Sequence, residues 1–311
     1  MEVSKEGSRE ISRCPQPPEI ERQEEKMMDG TQENDARVIE YYSRTMEGHV
    51  YVRETMDALL DVTGDRMRCL GHGPRVLHLG SHAGIVIETF LERWPDAKIA
   101  IHDEDERLTT MARQRLAGRP VDYHAGPIAN LTEQVDLVIS IARHHHLPHD
   151  YLDGVRRIMK PEAVYLLADE LCPEYCANEH IGRAEIIHIN RGYVLTSHAA
   201  VAAFHRNGAI PPEALQLERL RQRALWRWYR FVVDHAVTYG YFDIAVAELQ
   251  SAHDDLVTGS DAEHKFSPLI VERQFALAGF RQLSKRSIGP ANAPELQSMF
   301  IYEYGCGQIS I

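Results

Sequence analysis

Between Arg75 and Leu171 the chain alternates short, almost wholly apolar runs with stretches of helical periodicity, and this rhythm constrains the fold more than any other feature. RVLHLG (75–80), KIAIHDED (98–105), VDYHAG (121–126), VDLVISIA (135–142) and AVYLLADEL (163–171) read as strands, because apolar residues run on with little alternation. IVIETFLERWP (85–95), DERLTTMARQRLAG (105–118) and HDYLDGVRRIMKP (149–161) read as helices, stopped by Pro95, Gly118 and Pro161. Strands that are apolar on both sides need cover on both faces. The pattern therefore predicts a doubly wound α/β sheet with right-handed crossovers. PLIVERQFALAGF (268–280) resumes the helical period, and FRQLSKRSI (280–288) and SMFIYEYGC (298–306) bring the strands to seven.

The rest of the chain departs from that rhythm. Residues 1–35 are charged, contain proline and are poor in branched apolar residues, as expected of a disordered tail. Within 36–70, Val38, Ile39, Tyr42 and Met46, then Val52, Met56, Leu59 and Leu60, fall at helical spacings, giving an N-terminal helical cap broken near Gly48. Residues 172–264 carry helical patterning with few strand signals, too long a stretch for a structureless loop. They read as a helical insertion between strands 5 and 6, a lid beside the C-terminal ends of the strands. The Rossmann-like domain is then 71–171 together with 265–311.

Composition narrows the function. A formal net charge of −12 argues against a nucleic-acid backbone as partner, which needs concentrated Lys and Arg. No apolar run reaches the length of a membrane span and the N-terminus lacks an apolar signal core, so a soluble cytoplasmic protein with no membrane partner is expected. Five irregularly spaced cysteines fit a reducing compartment, and none forms a zinc-finger spacing. The run His144-His145-His146 has no partner acids at a distinctive spacing, so no metal is expected there. An imidazole that titrates near neutral pH makes His145 or His146 a candidate general base.

The first strand runs into Gly80-Ser81-His82-Ala83-Gly84, a tight turn leading to a helix whose N-terminal N–H groups favour an anion. Asp103 closes the next strand about twenty residues later, where an acid can accept both hydroxyls of a ribose. VLHLGSHAG, the IHDED strand end, DLVIS, the HHL run and VRRIMKP followed by a strand, in that order and spacing, resemble class I S-adenosylmethionine-dependent methyltransferases. The resemblance covers about 75–171, and 268–306 extends it.

That resemblance implies S-adenosylmethionine as cofactor. It puts His78, Gly80, Ser81 and Gly84 by the methionine portion, Asp103 on the ribose, and the segment from Ser140 through Arg143 to His146 beside the sulfonium and substrate. Tyr42 and Tyr175 are candidate aromatic faces for a sulfonium cation, with Tyr175 also a candidate catalytic residue. The Trp226/Trp228/Tyr229 cluster fits either a cavity lining or helix–helix core. The sequence also departs from the family. His78 stands for the usual acid, His82 for a middle glycine, and Gly126-Pro127-Ile128 lacks the adenine-side acid, which suggests apolar packing by Pro127.

The expected function is methyl transfer to an O, N or C atom of a small metabolite, as in secondary metabolism, in a closed pocket. One alternative is cyclisation of S-adenosylmethionine itself, as azetidine-2-carboxylate synthases do, with release of methylthioadenosine. Another is a non-catalytic binding protein of the same fold. A homodimer through the helical regions is compatible with either.

Overall fold

The computed structural model describes residues 48–148, 150–174, 212–254, 266–290 and 297–307, with a few isolated positions before and between them, Arg44 among them. Seven strands form one sheet in the order β3-β2-β1-β4-β5-β7-β6. They are β1 (Arg75–Leu79), β2 (Lys98–His102), β3 (Val121–His124), β4 (Val135–Ile141), β5 (Met159–Glu170), β6 (Phe280–Ile288) and β7 (Met299–Cys306). Strands β1 to β5 pair in parallel, while β7 runs antiparallel between β5 and β6. The expected seven-stranded Rossmann-like sheet is present. Reversal of β7 follows from its short connection to β6, since a parallel return would need a crossover.

Helices cover both faces. Helix α1 (Val52–Leu70) and α2 (Ile85–Arg93) pack with Val76, Ile99, Leu137 and Leu166, and Leu116 joins them just beyond α3 (Glu106–Arg115). On the other face α4 (Tyr151–Ile158), α5 (Pro212–Thr238) and α7 (Pro268–Leu277) close over Leu77, Leu79, Val138, Tyr165 and Tyr302. Helix α6 (Phe242–His253) lies against α5 through Ala236, Ile244 and Ala245. Trp228 and Tyr229 are buried in the main core while Trp226 is 55% exposed, so the aromatic stripe splits between core and surface.

Two element boundaries differ from expectation. Helix α4 ends at Ile158, and Pro161, expected to close it, lies inside β5. The β4–β5 register shifts between Val135 and Leu137, so Pro161 sits in an irregular stretch where its missing N–H costs no ladder bond. In the loop after β3, Ile128 is buried while Pro127 is exposed, so the isoleucine supplies the packing expected of the proline.

Candidate active site

The C-terminal ends of β1, β2, β4 and β5 converge on one edge of the sheet, the edge where doubly wound folds bind ligands. Two clusters of polar residues stand there.

The first surrounds the glycine turn. Gly80 has φ 88° and Gly84 φ 84°, and between them His82 (φ 44°) and Ala83 (φ 50°) also hold left-handed backbone, which disfavours residues bearing a Cβ. A Cβ on Gly80 would lie 3.0 Å from His82 Nε2 and 3.3 Å from Arg143 Cγ. On Gly84 it would meet Ala112 Cα at 3.2 Å and Arg115 Cδ at 3.1 Å. Gly84 also lets helix α3 approach the turn closely.

Both histidines of the turn are kept neutral. His78 donates from Nδ1 to the Gly80 carbonyl at 2.8 Å, and its ring meets that of His82 edge-on at 5.8 Å. Burial, with the neighbouring His82, lowers the His78 pKa to about 3. Burial also lowers His82 to about 4 against the pull of Asp103, with Arg143 adding to the fall.

Asp103 accepts from the Ser81 N–H at 2.7 Å, the Asp105 N–H at 3.0 Å and Arg143 Nη2 at 3.2 Å. Burial acts to raise its pKa, yet the Ser81 N–H and the Arg143 charge, with the Asp105 N–H, outweigh it and hold the carboxyl below its ordinary value. The helix cap that the acidic run also offered belongs to Asp105, which accepts from Arg107 and Leu108 N–H.

The second cluster lies at the ends of β4 and β5. The three consecutive histidines form one 3-10 turn and divide the directions between them. His144 is buried and its Nδ1 lies 2.6 Å from the Tyr151 hydroxyl, which in turn lies 2.8 Å from that of Tyr165. Ser140, expected beside the cofactor, is fully buried next to Tyr165. His146 is exposed.

His145 is half-buried and its Nδ1 donates to Asp169 Oδ1 at 2.8 Å. Asp169 also accepts the His144 N–H at 3.1 Å and the Glu170 N–H at 2.9 Å. Burial pushes its pKa up, but the charge and hydrogen bond of His145 overcome this and hold it below the ordinary range. A buried carboxylate that accepts from three donors thus holds the His145 imidazole in place through Nδ1.

Beside this dyad, His49 from the turn before α1 puts Nε2 3.4 Å from Glu170 and 3.5 Å from Glu248 of α6. Burial acts to lower the His49 pKa, but the two carboxylates raise it to about 9. Arg44 likewise pairs with Asp243 of α6 at 2.7 Å.

Thus His78, Gly80, Ser81, Asp103 and Arg143 come together around one turn, and His145 stands with Asp169. Tyr42 and Tyr175 lie outside the described residues. Asp169, His49, Glu170 and Glu248 were not singled out by the sequence. The first had a readable signal, an acid closing an apolar strand, as at Asp103.

Comparison with known proteins bears on one segment of the chain and on the fold. Residues 76–162 match the model of a methyltransferase domain family. No curated protein matches the chain. Among solved structures, an S-adenosylmethionine-dependent methyltransferase from Clostridium acetobutylicum is 10% identical, with 88% of this chain and 98% of that one covered at a TM-score of 0.49. The N-methyltransferase NodS from Bradyrhizobium japonicum is 10% identical, covering 83% and 97% at 0.43. The mitomycin 7-O-methyltransferase MmcR is 13% identical, covering 86% and 60% at 0.42. At such scores none of these likenesses extends to function.

The matched segment, residues 76–162, is similar to a methyltransferase domain and coincides with the stretch whose motifs resemble class I S-adenosylmethionine-dependent methyltransferases. The match to a methyltransferase domain supports a methyl-transferring enzyme, and S-adenosylmethionine is the cofactor that this reading implies. The donor set fits that group: a buried, ionised acid at the end of β2 and a bare left-handed glycine at the end of β1. No described helix is long and apolar enough to cross a membrane.

Proposed function

We propose that the protein methylates an oxygen or nitrogen of a small metabolite that must lose a proton as it is methylated. The observation that carries this reading is the 2.8 Å His145–Asp169 contact at the ligand edge of the sheet. Bound S-adenosylmethionine supplies a methyl group already activated on sulfonium. What remains for the chain is to orient the acceptor, exclude water and take up the acceptor's proton. Asp169 holds the imidazole so that Nδ1 keeps its hydrogen, and Nε2 accepts the proton. Asp103, with Gly80, Ser81 and His78 around it, is the seat for the cofactor. His146 is exposed and lies beside His145 with ring centroids 4.1 Å apart, a second wall rather than the base.

A small acceptor in a closed pocket, as in secondary metabolism, is supported by the helices that reach this edge. His49 and Arg44, ahead of α1, both bridge to α6 of the segment between β5 and β6. The strong negative charge disfavours nucleic acid as the acceptor. We assign residues 172–264 the role of a lid and 36–70 that of a cap on the same grounds. A cytoplasmic setting accords with the free Cys69, Cys172 and Cys306.

Cyclisation of the cofactor finds no support. It requires a base for the cofactor's own amine by the glycine turn, where both histidines are held neutral with pKa values of about 3 and 4. The test is mass spectrometry after incubation with S-adenosylmethionine and a panel of phenols, amines and hydroxy acids. A methylated acceptor and S-adenosylhomocysteine are expected, with turnover rising as the base deprotonates. Methylthioadenosine formed without any acceptor would overturn the proposal.

A further inference from the structure

Asp103 already has a cation standing on it. Two of its three donors, the Ser81 and Asp105 N–H groups, belong to the backbone and cannot leave without rebuilding the turn. The third, Arg143, arrives on a long side chain that is 21% exposed and makes a single 3.2 Å contact. Its buried Nε makes no hydrogen bond among the described residues. The same side chain lies along Gly80, its Cγ and Cδ 3.3 and 3.4 Å from where a Cβ would be. One partly exposed side chain therefore covers both the acid and the bare face of the glycine.

We propose that Arg143 competes with the cofactor's ribose for Asp103, a resident counter-ion that the ligand must displace. This rests on the reading that Asp103 seats the ribose. The physical basis is twofold. A buried carboxylate left without a cation is costly, so the chain supplies one. An equilibrium that ties up the binding-competent state weakens the apparent affinity by the fraction tied up. Arg143 is then a determinant of affinity with the opposite sign to a ligand contact: removing it strengthens binding. Because the contact is an ion pair with a partly exposed member, salt loosens it, and a neutral nucleoside should bind more tightly as ionic strength rises.

Calorimetric titration of adenosine, 2′,3′-dideoxyadenosine and S-adenosylhomocysteine into the full chain, its Arg143→Gln variant and its Arg143→Lys variant tests this. Arg143→Gln should bind adenosine and S-adenosylhomocysteine roughly five- to tenfold more tightly. It should leave dideoxyadenosine unchanged, with Arg143→Lys between it and the parent. Adenosine affinity of the parent should rise with salt, and that of Arg143→Gln should not. Weaker S-adenosylhomocysteine with unchanged adenosine would make Arg143 a clamp on the ligand carboxylate and overturn the proposal, as would no change in either. If dideoxyadenosine binds the parent as well as adenosine does, the ribose reading itself fails. If it binds worse but Arg143→Gln is inert, only the competitor role falls.

Discussion

Histidines gather at two places on the ligand edge of this sheet, and the two places treat them in opposite ways. At the glycine turn, His78 and His82 sit where burial outweighs every attraction, and both are forced neutral far below their ordinary pKa. At the end of β5, His145 rests on Asp169, and His49 stands between Glu170 and Glu248. There the carboxylates win, and His49 stays charged well above neutrality. The same side chain is a packing unit in one cluster and a proton acceptor or bridging cation in the other. Local acid, more than burial, decides which.

The sharpest test of that contrast is to take the acid away. Asp169→Asn should lower turnover of the identified acceptor by about 10²–10⁴-fold, the range for a lost general base, while calorimetry shows S-adenosylhomocysteine still bound. An equal loss in both would assign Asp169 to the fold instead. On the glycine side the largest effect comes from Gly80→Ala. Its Cβ would fall 3.0 Å from His82 Nε2 at a φ of 88°, so a loss of about 1–3 kcal/mol in stability and loss of cofactor binding are expected.

Titration then separates the clusters by sign. The unfolded state binds protons below about pH 6.5, whereas His78 and His82 do not until about 3 and 4. Stability should therefore fall as pH drops from 6.5 toward 4, by at most about 1.4 kcal/mol per pH unit for each histidine. His82→Gly should flatten part of that slope in a thermal-unfolding series. His49 acts in the alkaline direction. Its folded pKa of about 9 exceeds the unfolded value, so its contribution is complete below 6.5 and disappears as pH rises toward 9. His49→Gln should abolish that smaller slope, and a slope that survives would mean another group bridges α6 to the sheet.

The sheet was largely legible because its signal is local. Apolar runs such as VDLVISIA report burial on both faces within a few residues, and β6 was read at its observed bounds, 280–288. Pro161 misled because the β4–β5 register shift that accommodates it depends on another strand. At the site, Gly80 and Asp103 were visible as a strand exit and a strand end. Asp169 was equally visible in kind, but its meaning depends on a histidine 24 residues earlier. The His49 bridge joins three segments that only the fold brings together.

Helix α3 carries a consequence beyond its own packing. Its start is fixed by Asp105, which donates its N–H to Asp103, and its third turn presents Ala112 and Arg115 to Gly84. The helix thus acts as a ruler laid between the acid and the glycine turn, setting how far apart two recognition points can stand. Evolution or an engineer wishing to admit a bulkier nucleoside cannot simply widen the turn. The wholly buried Ala112 would have to change in step, and a larger residue there would push the turn off its mark without touching any ligand.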